Sequence, residues 1–121
     1  MKITKKDDET LIVYNQNDLI DCKNVPFVDN LTWWHEQVLI DDQLKMRDRG
    51  LSEYPDIRVL DHLAYEYGWL VTDKEYKPII FIAMYEPATY CRLGNVIAFV
   101  GHEELTLLNL DTLETNSTYT R

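Results

Sequence analysis

Three histidines, His35, His62 and His102, and two cysteines, Cys22 and Cys91, are the side chains of this sequence best suited to hold a metal or move a proton near neutral pH. His35 is followed by Glu36, and His102 by Glu103 and Glu104, so imidazole and carboxylate adjoin at two places. Such pairs can serve as acid and base, or as two ligands of a metal. A helical zinc site of the HExxH type needs a second histidine four residues after the first, and those positions hold Leu39 and Thr106. No metal is therefore expected. Cys22 and Cys91 stand apart without a CxxC spacing and read as small apolar side chains rather than as a zinc or disulfide framework. There is no GxSxG elbow, and Gly50, Gly68, Gly94 and Gly101 are too far apart to cradle a phosphate. The expectation is no catalytic residue, no cofactor, and a binding protein in preference to an enzyme.

Charge is the strongest compositional signal: 21 Asp and Glu against 12 Lys and Arg give a formal net charge of −9 over 121 residues. Phosphate repels such a chain, so direct nucleic-acid binding is not expected, and opposite charge steers it towards a basic protein surface. The first residues carry no apolar core of a secretory signal, and the longest apolar stretch, Ile79 to Tyr85, falls far short of the roughly 20 residues that span a bilayer. A cytoplasmic protein with no membrane partner is expected.

The elements that would position these groups read as α+β. Leu11 to Tyr14 is a strand closed by an Asn/Asp turn at 15–18. From about 30 to 49 the chain has no Gly or Pro and is rich in helix formers, which predicts a long helix ending at Gly50. A second helix is predicted over 56–67, with Ile57, Leu60, Leu63, Ala64 and Tyr67 on one arc and Arg58, Asp61, His62, Tyr65 and Glu66 on a solvated one, Pro55 before it and Gly68 stopping it. Trp69 to Thr72 and Ile79 to Tyr85 predict a hairpin, the latter apolar at odd and even positions and so the central strand. Val96 to Val100 reads as another doubly buried strand, Leu105 to Leu110 as one more, and 114–121 as a frayed end. The whole is expected as one domain, 1–121, with two helices on a mainly antiparallel sheet of four to five strands.

The strand block Trp69 to Val100 resembles the central meander of GNAT-type acyltransferases over about a quarter of the chain. The resemblance implies a pyrophosphate loop after the last of these strands, where this sequence has Gly101-His102-Glu103-Glu104-Leu105; two carboxylates there oppose phosphate. It implies a degenerate acyltransferase-like domain; a separate alternative is a small enzyme with a site near His102, which would pair with Glu103 or Glu104 as acid and base.

The expected function is instead that of a small acidic binding protein of inhibitor or immunity type, as phages and mobile elements use, occupying a basic surface on a protein that handles nucleic acid. Trp33 or Trp34 on the first predicted helix would anchor the interface, with Glu36, Asp41 and Asp42 steering it. A third reading is a homo-oligomeric structural subunit burying that helix against its copy.

Overall fold

Gln43–Asp48, the end of the first expected helix, is a β-strand, and so is Arg58–His62, the body of the second. The computed structural model describes residues 1–6, 8–24, 43–51, 54–62, 68–84 and 86–119. Among these residues are ten strands, one 3-10 turn at Gln16–Leu19 and no α-helix, so an almost wholly β, antiparallel architecture replaces the α+β expectation. The remainder of the expected helices, 30–42 and 63–67, lies outside the described residues.

The physical reason lies in the period of burial. Along Gln43–Asp48, Leu44, Met46 and Asp48 are buried while Gln43 and Lys45 are exposed, a period of two that no helix presents. Leu44 lies opposite Tyr14 and Met46 opposite Ile12, and these cross-strand pairs outweigh the helix propensity of Gln, Lys, Met and Arg. Along Arg58–His62 every residue from Val59 onward is buried, including the Asp61 and His62 expected on a solvated arc.

The chain divides into two compact units, Met1–Ala83 and Met84–Arg121. The first is a six-stranded antiparallel sheet in simple sequence order: β1 (Lys2–Lys6), β2 (Glu9–Asn15), β3 (Gln43–Asp48), β4 (Arg58–His62), β5 (Gly68–Thr72) and β6 (Pro78–Ala83). One face gathers the core of this unit, Ile12, Tyr14, Leu19, Leu44, Met46, Leu60, Leu70 and Phe81, with Cys22 and Tyr76 packed against it. The sheet curls enough for the Tyr14 hydroxyl, on β2, to donate to the Tyr76 carbonyl in the β5–β6 turn at 2.7 Å. The expected hairpin is β5 with β6, in the register Trp69↔Ile82 and Leu70↔Phe81. It does not supply a central strand, because β6 is last in the sheet. Ile80, Phe81 and Ile82 are nonetheless all buried, so both faces of this strand are covered as its apolar content at both parities implies, and Lys23 bridges its outer edge in parallel, its amide donating to Ile79 O at 3.2 Å and its carbonyl accepting from Phe81 N at 2.9 Å.

The second unit is a four-stranded meander, β7 (Pro87–Leu93), β8 (Val96–Gly101), β9 (Glu104–Asn109) and β10 (Thr115–Tyr119), each strand beside the next. Thr115–Tyr119 lies in the stretch expected to fray and pairs along its length with β9. Because β5 and β6 belong to one sheet and β8 to the other, the block Trp69 to Val100 is not the single continuous meander that the acyltransferase resemblance implies.

His62 gives the first unit a pH signature. It lies opposite Met46 and is 2% exposed. Burial pushes its pKa down to about 4; the Asp61 carboxylate opposes that shift and the Arg47 guanidinium adds to it. A histidine with a folded pKa below its unfolded value takes up its proton on unfolding, so its stabilising contribution is complete above about pH 6.5 and is lost as the pH falls towards 4. Between about pH 7.5 and about pH 5 the loss is about 2 kcal/mol. Urea unfolding at the two pH values should show it in the native chain and not in a His62→Gln variant; equal losses in both would assign the dependence to other groups.

Candidate interaction surface

Strand pairing decides which side chains share a face of the second unit. Tyr90, Phe99, Thr106 and Ser117 form one cross-strand row, and Arg92, Ile97, Leu108 and Thr115 the next, on the same face. Here Ile97, Phe99, Thr106 and Leu108 are buried, Tyr90 lies tilted against Phe99 at 6.2 Å between centroids, and the Thr106 and Ser117 hydroxyls meet at 2.8 Å. The alternate positions make the opposite face. Leu93 and Val96 face each other on it, as do Cys91, Ala98 and Leu107, and Val100 and Leu105, with Thr89, Asn109, Asn116 and Thr118 completing it. No charged residue lies among these positions.

That second face is open. Leu93 is 86% exposed, Leu107 39% and Val96 38%, Cys91 is exposed, and Ala98, Val100 and Leu105 are partly so. The expectation of a strand covered on both sides at Val96 to Val100 is therefore met on one face only, the face of Ile97 and Phe99.

Carboxylates stand at both ends of this sheet. At the β8–β9 end are Glu86 and Glu103, with His102 between them in sequence; the His102 amide donates to Glu86 O at 3.1 Å. At the other end are Asp111 and Glu114, where the Asn95 side-chain amide donates to Asp111 Oδ2 at 2.8 Å and Leu110 N to Asn95 O at 2.7 Å. The two turns are thus tied together and hold the end of the sheet in shape. Arg92 is the only Lys or Arg among the described residues of this unit, and its Nε donates to Gly94 O on the buried-face side. The surface is an uncharged apolar floor with negative charge at its ends.

Other groups singled out in the sequence fall elsewhere. Trp33, Trp34, Glu36, Asp41 and Asp42, and with them His35, lie outside the described residues. His102 is exposed, and its Nδ1 stands 3.9 Å from Glu86 Oε2, both side chains more than half exposed. An open pair of that kind has no low-dielectric wall to sharpen proton transfer. Among the described residues no three His, Cys, Asp or Glu side chains are placed to hold a metal ion. The two thiols differ: burial pushes Cys22 up to about 12, which makes it a poor nucleophile, whereas Cys91 is exposed on the apolar face.

The densest polar cluster of the first unit reads as a clamp. Asp48 Oδ2 accepts from Arg58 Nη1 at 2.9 Å and from the Tyr76 hydroxyl at 3.0 Å, and Oδ1 accepts from Gly50 N at 2.8 Å. Arg58 also donates to Lys74 O and lies 4.5 Å from the centre of the Tyr76 ring. Tyr76 has φ 65°, a left-handed backbone unusual for a bulky side chain, and these contacts hold it there. With its donors and acceptors spent on one another, the cluster fixes the β5–β6 turn. A second pair, Arg47 Nε to Asp61 Oδ1 at 3.0 Å with Arg49 Nε 3.4 Å from Oδ2, joins β3 to β4.

The described residues form two antiparallel sheets, the smaller one carrying an open apolar face. Comparison with protein-family models, with curated proteins and with solved structures finds no match to the chain. Among the described residues no helix is long and apolar enough to cross a membrane.

Proposed function

We propose that the chain is a binding protein of inhibitor type, and that the open face of β7–β10 docks on a basic surface with an apolar centre on another protein. The observation that carries this reading is the uncharged face of Leu93, Val96 and Leu107, exposed in a chain of net charge −9 and bounded at both ends by carboxylates. Apolar contact would supply the affinity, and the end charges would orient the partner and speed its approach. A partner whose basic surface serves nucleic acid would be blocked by occupancy, without chemistry.

The test uses immobilised peptides in which Leu and Lys alternate, with Glu replacing Lys in the control set. The purified chain should bind the first set and not the second, and binding should weaken on going from about 0.1 M to about 1 M salt. Leu107→Lys, at an exposed position, should weaken binding about tenfold or more while leaving the fold intact, an effect of about 1.4 kcal/mol. Cys91, on the same face, should react with a maleimide faster than Cys22, and bound peptide should slow its reaction. Equal binding of Lys and Glu peptides, or unchanged Cys91 labelling, would overturn the proposal.

A further inference from the structure

Six of the ten Lys and Arg residues described in the first unit lie on or beside β1 and β3, the others being Lys23, Arg58, Lys74 and Lys77. Lys2, Lys5 and Lys6 lie on β1, Lys45 and Arg47 on β3, and Arg49 just after it. The register sets Lys2, Val13 and Lys45 in one cross-strand row and Thr4, Leu11 and Arg47 in the next, with Lys6 facing Glu9. This is the face opposite the core residues Ile12, Tyr14, Leu44 and Met46. On it half-buried Leu11 and Val13 form an apolar centre, and exposed Lys2, Lys6 and Lys45 stand on either side. Among the described residues none of those three lysines makes an ion pair.

We propose that a second copy of the chain docks this basic face of β1–β3 on the open face of β7–β10, so that copies associate head to tail. The proposal rests on the reading of the β7–β10 face as a binding surface for an apolar-centred basic partner, and names one such partner. Charge selects the geometry. A two-fold pairing of the β7–β10 face with itself would bring Glu86, Glu103, Asp111 and Glu114 of one copy against the same carboxylates of the other, and like charges so placed repel. The heterologous contact sets those carboxylates against Lys2, Lys6 and Lys45, and Leu93, Val96 and Leu107 against Leu11 and Val13. A heterologous contact does not saturate at two copies unless a ring closes.

Size sets the strength. Three strands about 4.8 Å apart and some 17 Å long present roughly 250 Å² per copy, well under the roughly 800 Å² per partner of a standard stable interface. The association is therefore weak and reversible, visible only at high concentration, and gives way to a partner that offers a larger basic surface.

The experiment is sedimentation velocity on the full chain from about 10 µM to about 1 mM, at about 0.1 M and about 1 M salt, between which the screening length falls from roughly 10 Å to roughly 3 Å. The average mass should rise with concentration at low salt, and the self-dissociation constant should increase at least fivefold at high salt. Two variants make the result specific. The double variant Lys2→Glu and Lys45→Glu keeps the β7–β10 face, and Leu107→Lys keeps the basic face; each alone should stay monomeric, and an equimolar mixture should form a complex that stops at two copies. A native chain that is monomeric throughout overturns the proposal. So does a double variant that self-associates like the native chain, or a mixture that stays monomeric. The same double variant separates this failure from that of the functional reading: it still binds the Leu–Lys peptides if only the self-contact is wrong, and binds neither if the face itself has been misread.

Discussion

Replacing Asp48 with alanine should lower the stability of the chain by about 3 kcal/mol, roughly 10 °C in melting temperature. The carboxylate is 5% exposed and accepts from three groups, Gly50 N, Arg58 Nη1 and the Tyr76 hydroxyl. Without it a guanidinium stays in the clamp facing two other donors, and removing one partner of a buried pair costs more than the pair itself contributes. Arg58 is about one-third exposed, which lets water relieve part of the loss and keeps the figure at the low end. Tyr76 then holds its left-handed backbone with one support fewer. Adding Arg58→Met should bring little further loss, because the orphaned charge goes with it. Urea unfolding of the two single variants and the double variant would give a coupling energy of about 1 to 3 kcal/mol; additive losses would mean that the ion pair does not hold the turn.

Replacing Gly68 with alanine should cost about 3 kcal/mol or more. A Cβ there would sit 2.5 Å from the Ile82 carbonyl oxygen and 2.8 Å from Phe81 Cζ. The ring can turn aside. The carbonyl belongs to the β5–β6 ladder, where Gly68 lies opposite Ala83, and moving it means parting two strands. A second substitution, Phe81→Leu, should therefore recover less than half of the loss, as read by chemical denaturation. Full recovery would place the whole conflict in the ring.

Gly68 also shows what was legible in the sequence and what was not. As a stop for a helix over 56–67 its role was misread; it is there because a strand crosses close to an aromatic ring. Strand signals were plain at Leu11 to Tyr14 (β2), Val96 to Val100 (β8) and Leu105 to Leu110 (β9), and the one hairpin signal, β5 with β6 around a polar turn at 73–77, was equally plain. They failed in Gln43–Asp48 and Arg58–His62, because helix propensity reports on an isolated segment whereas strand formation is decided by partners elsewhere in the chain. Met46 belongs opposite Ile12, and no window around Met46 contains Ile12.

The same non-locality hid the open face. Val96 to Val100 is apolar at every position, which in isolation means cover on both sides; only the pairing with Cys91, Leu93, Leu105 and Leu107 shows which half lies open. The signal available was the absence of any charge at Leu93, Val96, Ala98, Val100, Leu105 and Leu107, a set that emerges once the register is known. The residues chosen from sequence for partner contact, Trp33 to Asp42, followed from the expected helix and lie outside the described residues.

The bond from Tyr14 to Tyr76 joins residues 62 apart in the chain, and the strap of Lys23 on β6 closes a loop of similar length. Between those ends lie β3, β4 and β5, each of which must find its neighbour before the ends can meet. Closing such loops costs chain entropy that is repaid only at the last step, so the curled sheet should assemble in milliseconds to seconds rather than microseconds. The Lys23 and Phe81 amides should accordingly be among the last of the sheet to gain protection during refolding, with the hairpin of β5 and β6 forming ahead of them.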